Sequence, residues 1–135
     1  MKFLLDTNIC IYIINRKPAV VIERMKQTGV DSIALSSITL AELSYGVEKS
    51  ERPVQNRLAL IKFLLPFPIL AFDDTSAFAY GRIRAHMEKT GSIIGSLDLL
   101  IGAQAISAGL TLITNNTREF SQVPELRIEN WVDYT

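Results

Sequence analysis

Three of the fourteen acidic residues, Asp6, Glu42 and Asp98, stand in apolar surroundings rather than among other charges. Asp6 directly follows the apolar run Phe3-Leu4-Leu5, and apolar residues flank both Glu42 and Asp98. Carboxylates that lie close together repel one another, and a hard divalent cation such as Mg²⁺ or Mn²⁺ relieves that repulsion. These residue types predict a cation site wherever the fold brings the three together.

Each of these acids also has a simpler interpretation. Asp6 is suited to cap the turn after its strand, and Glu42 is typical of a solvated helix residue. Asp98 falls in the first turn of a predicted helix, where the helix dipole favours a negative charge by about 0.3–1 kcal/mol. The cation-site interpretation therefore depends on the elements that position all three.

A fourth polar segment, 114–119, follows a predicted strand and contains Asn116 and Glu119. Because asparagine is common in turns, one interpretation is a polar turn. The other is an oxygen-rich rim that closes the same pocket.

Short apolar runs alternate with helical patterns along the chain. The predicted strands are 3–5, 32–35, 68–72, 110–114 and 126–128, and the predicted helices cover 9–15, 18–28, 40–47, 53–65, 77–89 and 97–108. Thr7 or Asn8 is expected to cap the first helix, and Ser96 the last. Strands that alternate with helices favour a parallel sheet covered on both faces.

The expected fold is therefore α/β, with a parallel sheet of four to five strands flanked by helices on both faces, an α/β/α sandwich. The length of 135 residues predicts a single domain over 1–135. In such a sheet, ligands bind beyond the carboxyl ends of the strands. Asp6, Glu42 and Asp98 all fall at strand ends or at the helix starts that follow them, so they are expected to meet at that edge.

Composition narrows the class of protein further. Fourteen basic residues balance fourteen acidic ones, which argues against a dedicated non-specific nucleic-acid binder. A single cysteine, Cys10, cannot form an internal disulfide, and we expect it to pack as a small apolar group. The most apolar stretch, 58–72, is too short to span a bilayer. The chain is predicted to be cytoplasmic, with no membrane association.

Four segments together resemble a PIN-domain ribonuclease, and more narrowly the VapC-type toxin of a VapBC toxin–antitoxin pair. The segments are Leu5-Asp6-Thr7-Asn8, 37–46 around Glu42, 94–101 around Asp98, and 114–120 followed by Val123-Pro124 and 128–131. Their order and number make the resemblance specific over nearly the whole chain.

The resemblance implies a Mg²⁺-dependent endoribonuclease, with Mn²⁺ as a substitute. Asp6 and Asp98 would be the principal ligands, and Glu42 would complete the acidic cluster directly or through water. Many relatives have an aspartate near Asn116, so a fourth carboxylate is missing here unless Glu119 supplies it, and one cation is expected rather than two. A bound divalent cation lowers the pKa of water enough for attack on phosphorus, so no side-chain nucleophile is required. The single histidine, His86, excludes a mechanism that uses two histidines.

The same resemblance implies the partners. The substrate would be RNA, with the anticodon loop of tRNA, including initiator tRNA, as the leading candidate. A VapB-type antitoxin would cover the site, operator DNA would be reached only through that antitoxin, and the chain would form a homodimer. The apolar residues of the first helix exceed what one buried stripe requires, so some are expected at such an interface.

Two other functions compete with this interpretation. A Mg²⁺ phosphohydrolase with Asp6 as phosphate acceptor normally has a second aspartate two residues on, where this chain has Asn8. A non-catalytic, receiver-like acidic pocket would need adjacent acids at the end of the first strand and a lysine after a late strand, whereas here Asp73-Asp74 follow a middle strand and Thr114-Asn115 follow the late one. A PIN scaffold that has lost activity would be expected to lack one of the three acids, and all three are present.

Overall fold

A parallel sheet of five strands forms the centre of the protein, which a computed structural model describes over residues 1–132. The strands are β1 (Phe3–Leu5), β2 (Ile33–Ser36), β3 (Ile69–Leu70), β4 (Thr111–Ile113) and β5 (Ile128–Glu129). Their order is β3-β2-β1-β4-β5, and every neighbouring pair is parallel. The predicted α/β fold with a parallel sheet is confirmed, although β3 and β5 are shorter than expected. The last three residues of the predicted domain lie outside the described part of the chain.

Seven α-helices connect these strands. They are α1 (Thr7–Asn15), α2 (Ala19–Thr28), α3 (Ser37–Glu48), α4 (Pro53–Leu64), α5 (Asp74–Thr90), α6 (Ser96–Ala108) and α7 (Thr117–Phe120). The six predicted helices are all present. Sequence reasoning missed α7, because four residues are too few to show a helical periodicity. No helix within residues 1–132 is long and apolar enough to cross a membrane.

Alternate residues of the strands supply two cores, one on each face of the sheet. Leu4 and Leu112 pack with residues of α5 and α6, whereas Leu5 and Ile113 pack with residues of α1, α2, α3 and α4. Side chains in a strand point to opposite faces in turn, so adjacent leucines enter different cores. The predicted covering of both faces is confirmed.

Two of the predicted helix caps are wrong. Asp6, rather than Thr7 or Asn8, caps α1, because its side chain accepts a hydrogen bond from the Thr7 backbone N–H at 2.8 Å. The strand ends at Leu5 as predicted, but α1 begins at Thr7 rather than at Ile9, so Asp6 holds the extended backbone typical of a cap. The cap of α6 is Gly95, and Ser96 is already helical.

A buried glutamine connects three elements beneath the carboxyl edge of the sheet. The Gln104 carbonyl accepts a hydrogen bond from the Ser36 hydroxyl at 2.5 Å, and its amide donates to the carbonyls of Leu70 and Ala71 at 3.1 and 3.2 Å. The Ser36 hydroxyl in turn accepts from the Ile38 N–H and caps α3. Since buried polar groups are costly when unpaired, this network holds α3 and α6 in register with the sheet.

Candidate active site

The site lies where the sheet changes its direction of winding. Helices α1 to α4 cover one face and α5 and α6 cover the other, so the chain turns in opposite directions from β1 and from β4. A crevice forms beyond the carboxyl ends of two such neighbouring strands. Asp6 follows β1 and Thr114 follows β4, and the Thr114 hydroxyl donates to Asp6 Oδ2 at 2.8 Å.

Asp6 is a buried carboxyl group, with 3% of its surface exposed. One oxygen accepts from the Thr7 N–H and the other from the Thr114 hydroxyl. Burial raises the pKa of Asp6, the two hydrogen bonds oppose that effect, and repulsion from Glu42 adds to it. Each carboxylate oxygen retains a second acceptor position, so both remain able to bind a cation.

Glu42 reaches the same crevice from the second turn of α3. Its Oε1 accepts a hydrogen bond from the Thr7 hydroxyl at 2.7 Å. The Thr7 hydroxyl also lies 3.2 Å from that of Thr39, which is fully buried one turn earlier in α3. Thr7 therefore contacts two of the predicted site acids, Asp6 through its backbone and Glu42 through its side chain.

Asp98 has the most perturbed titration of the predicted site residues. It lies in the first turn of α6, partly buried, and its pKa is raised from 3.8 to about 6. Burial is the largest cause, followed by repulsion from Asp6, Glu119 and Glu42, while a hydrogen bond from Asn116 opposes the shift. The Asp98 carboxylate is therefore repelled by three other carboxylates.

Helix α7 supplies the remaining predicted site residues. Asn116 stands at its start, where its side-chain amide donates to Asp98 Oδ2 at 3.3 Å and its backbone N–H donates to the Thr114 hydroxyl at 2.9 Å. Glu119, one residue from the end of α7, is close enough to raise the pKa of Asp98. The polar segment is therefore both a helix start and a rim of the crevice. All five predicted site residues lie at one edge, and their catalytic roles stay predictions.

Sequence reasoning missed the hydroxyl groups that hold the acids. The Thr7 hydroxyl contacts both Glu42 and the Thr39 hydroxyl, and the Thr114 hydroxyl contacts Asp6. The only sign in the sequence that a threonine holds one of these acids is its position next to that acid, and of the three threonines only Thr7 has such a position. The other two contacts depend on strand pairing and helix packing.

The residues fit a hard divalent cation with a partly aqueous coordination shell. Within residues 1–132, no three acidic, histidine or cysteine side chains converge tightly enough to enclose one ion. Mg²⁺ typically retains several waters and binds through one or two carboxylates. Asp6, which is buried, and Asp98, which is partly buried, are suited to direct contact with the cation, and Glu42 lies at a position suited to contact through water.

Other predicted roles can be compared with the geometry. Cys10 is fully buried, and burial raises the pKa of its thiol well above the ordinary value, which does not suit a nucleophile. Three arginines form exposed ion pairs with glutamates: Arg57 with Glu48, Arg82 with Glu125, and Arg84 with Glu88. These pairs weaken the attraction of the three arginines for the phosphates of an RNA.

The raised pKa of Asp98 predicts how stability depends on pH without a divalent cation. Because the folded protein binds the proton more tightly than the unfolded chain, this stabilisation is complete below pH 3.8 and is lost as pH rises through about 6. We expect the wild type to lose about 1 kcal/mol relative to Asp98→Asn across that interval, after allowance for solvent screening. Urea unfolding of both proteins at several pH values measures the difference. Parallel pH profiles would contradict it.

Comparison with known proteins places this sheet and its acidic edge in one class. Residues 3–126 match the PIN domain family. Ribonuclease VapC2 of Rickettsia felis is 45% identical over 132 residues, which cover 97% of this chain and 98% of that protein. The tRNA(fMet)-specific endonuclease VapC of Shigella flexneri is 44% identical over 131 residues, with 97% and 98% covered.

A solved structure agrees with these sequence relatives. The crystal structure of VapBC2 from Rickettsia felis, bound to a DNA fragment from its promoter, matches with a TM-score of 0.91 and 44% identity, covering 97% of this chain and 99% of that one. The chain therefore belongs to the PIN-domain family and, within it, to the VapC ribonucleases.

Proposed function

We propose that the protein is a Mg²⁺-dependent endoribonuclease that acts as the toxin of a toxin–antitoxin pair. The observation that carries the proposal is the electrostatic coupling of Asp98 to Asp6, Glu42 and Glu119 at the carboxyl edge of the sheet. Carboxylates that repel one another are costly to hold in one crevice, and a bound cation would remove that cost. The VapC relatives are named as ribonucleases, which supports RNA as the substrate.

Each residue then has a distinct task in hydrolysis. Asp6 and Asp98 would hold the cation, and Thr114 and Asn116 fix the orientation of those two carboxylates through their hydrogen bonds. A bound Mg²⁺ supplies positive charge for the phosphodiester and an acidic water for attack on phosphorus. Glu42, whose Oε1 is occupied by Thr7, would orient the attacking water and accept its proton at Oε2.

The substrate we propose is a single-stranded tRNA loop, such as the anticodon loop of initiator tRNA. Support comes from the Shigella flexneri relative, which is named for tRNA(fMet). A loop exposes its backbone and splayed bases in a way that a duplex does not. The cytoplasm, where such tRNAs act, is the proposed location.

The proposed protein partner is a VapB-type antitoxin. A groove with a volume of about 260 Å³ runs between α1, α3 and α4, lined mainly by apolar residues such as Ile11 and Leu60, and Glu42 lies at its wall. An amphipathic helix in this groove would bring a basic side chain directly to the acidic cluster. The Rickettsia felis VapBC2 structure is bound to promoter DNA, and we propose that this chain contacts operator DNA only through its antitoxin.

A homodimer is also proposed. Phe78, Ile93 and Leu97, on α5, in the loop before α6 and in its first turn, are exposed by 81%, 73% and 48%. Large apolar side chains left exposed to water are typical of protein–protein contacts. A second copy of the chain covering α5 and the start of α6 would bury them.

Cleavage of total tRNA by the purified protein tests the proposed activity. We expect cleavage with Mg²⁺, a weaker or comparable rate with Mn²⁺, and none in excess chelator. Cleavage that survives complete chelation would contradict the metal mechanism. An inactive wild type that also leaves cell growth unchanged on expression would favour the non-catalytic binding module instead.

A further inference from the structure

We propose that Thr7 is a positioning residue for Glu42, with Thr39 supporting it. The inference deepens the proposed nuclease function and rests on it. Thr7 is not offered as a cation ligand. Its task is to hold one oxygen of Glu42 so that the other faces the reacting centre.

The position of Thr7 in the chain makes this task possible. It is the first residue of α1, directly after Asp6, and only 9% of its surface is exposed. Its backbone N–H donates to Asp6 Oδ1 at 2.8 Å, and its hydroxyl donates to Glu42 Oε1 at 2.7 Å. One residue therefore connects the acid at the end of β1 with an acid on α3, 35 positions further along the chain.

Glu42 needs such a contact because electrostatic repulsion acts against its placement. Its charge raises the pKa values of both Asp6 and Asp98, so each of those carboxylates repels it. Glu42 is partly exposed, and a glutamate has several rotatable bonds that would let it turn towards water. The short bond to the Thr7 hydroxyl opposes this outward rotation.

Thr39 makes the second side-chain contact of the Thr7 hydroxyl. Its hydroxyl is fully buried and lies 3.2 Å from that of Thr7. The Thr7 hydroxyl is the donor in both contacts, and because it carries one proton, Thr39 is the more distant and weaker acceptor beside the Glu42 carboxylate. Both acceptors lie on α3, so the second contact keeps the Thr7 hydroxyl turned towards that helix.

The test uses the fact that Thr7 contacts Asp6 only through its backbone. Thr7→Val removes the bond to Glu42, preserves the branched shape, and leaves the N–H that binds Asp6 in place. We expect about 10–100-fold weaker Mn²⁺ binding, measured by titration of the metal alone, and a comparable loss in kcat with little change in KM for tRNA. Thr7→Ser, which retains the hydroxyl, is expected to restore most of both.

Two controls separate positioning from general damage. Thr90→Val removes an exposed threonine hydroxyl at the end of α5, which donates to the carbonyls of His86 and Met87 in its own helix, and is expected to change neither Mn²⁺ binding nor kcat. Circular dichroism melting of each variant checks that the fold persists. Thr39→Val is expected to show a smaller loss than Thr7→Val in the same direction.

A double-mutant cycle decides whether Thr7 acts through Glu42. In a Glu42→Gln background, Thr7→Val is expected to cause little further loss, because the carboxylate it positions is gone. Fully additive losses, or wild-type Mn²⁺ affinity in a folded Thr7→Val variant, would overturn the proposal. A wild type that binds Mn²⁺ but cleaves no RNA would overturn the nuclease function alone, and the Mn²⁺ titration would still decide the role of Thr7.

Discussion

Replacing Asp98 with asparagine is expected to reduce the rate of RNA cleavage by at least about a hundredfold. Asparagine keeps the size of the side chain but removes the charge that attracts the cation. Asp98 is one of the two partly or fully buried acids suited to direct ligation, so no other residue of α6 can replace it. Single-turnover cleavage of labelled tRNA at saturating Mg²⁺ measures the effect.

The matched control for this substitution is Asp74→Asn. Asp74 also lies in the first turn of a helix, α5, but it is exposed. If Asp98 served only the helix dipole, the two substitutions would have similarly small effects of about 0.3–1 kcal/mol on stability and none on cleavage. We expect Asp74→Asn to cleave at the wild-type rate. Equal activity of both variants would show that Asp98 has only the simpler role.

Asp98→Asn is also expected to separate activity from stability. In cation-free buffer near neutral pH the asparagine variant should be the more stable protein, because in the wild type the Asp98 carboxylate is partly buried and is repelled by three others. Mg²⁺ should raise the melting temperature of the wild type and change that of the variant far less. Catalytic sites commonly retain destabilising groups for this reason.

Replacing Trp131 with alanine is expected to cost about 3–5 kcal/mol of unfolding free energy. Trp131 is fully buried in the core shared with α1, α2 and α4, and its ring meets that of Phe3 edge-on at 6.3 Å. Its indole N–H donates to Glu129 Oε1 at 3.3 Å, and Glu129 also pairs with Arg24 at 2.8 Å. Loss of the ring removes apolar contacts and leaves a cavity beside β1.

Circular dichroism in urea measures this effect, because the substitution removes the only tryptophan and with it the fluorescence signal. Leu65→Ala is the control, since it deletes a large apolar side chain that is 78% exposed. We expect the control to change stability by less than about 0.5 kcal/mol. A small effect of Trp131→Ala would mean that residues after β5 contribute little to the core.

The elements of the fold could be predicted largely because their signals are local. Apolar runs such as 3–5 and 110–114 stand between polar segments, and glycine at position 109 ends α6 with φ 69°, a conformation that glycine adopts easily. The short helix α7 and the exact caps could not be predicted this way. A cap depends on where the helix begins, and one residue decides whether Asp6 or Thr7 fills it.

By itself, the sequence determined which residues could form the site. Asp6, Glu42 and Asp98 stand out because each follows or interrupts an apolar segment, and their surroundings are readable from neighbours in the chain. The alternation of strands and helices then predicted that they meet at one edge. The polar segment after a late predicted strand added Asn116 and Glu119 to the same set.

Only the tertiary structure decided how those residues are held and charged. Thr114 reaches Asp6 across 108 positions because β1 and β4 pair in parallel, and Thr7 reaches Glu42 because α1 packs against α3. The pKa of Asp98 depends on burial and on three other carboxylates from separate elements. Hydrogen bonds and electrostatic repulsion act over a few ångströms in space, and that distance is set by packing rather than by position along the chain.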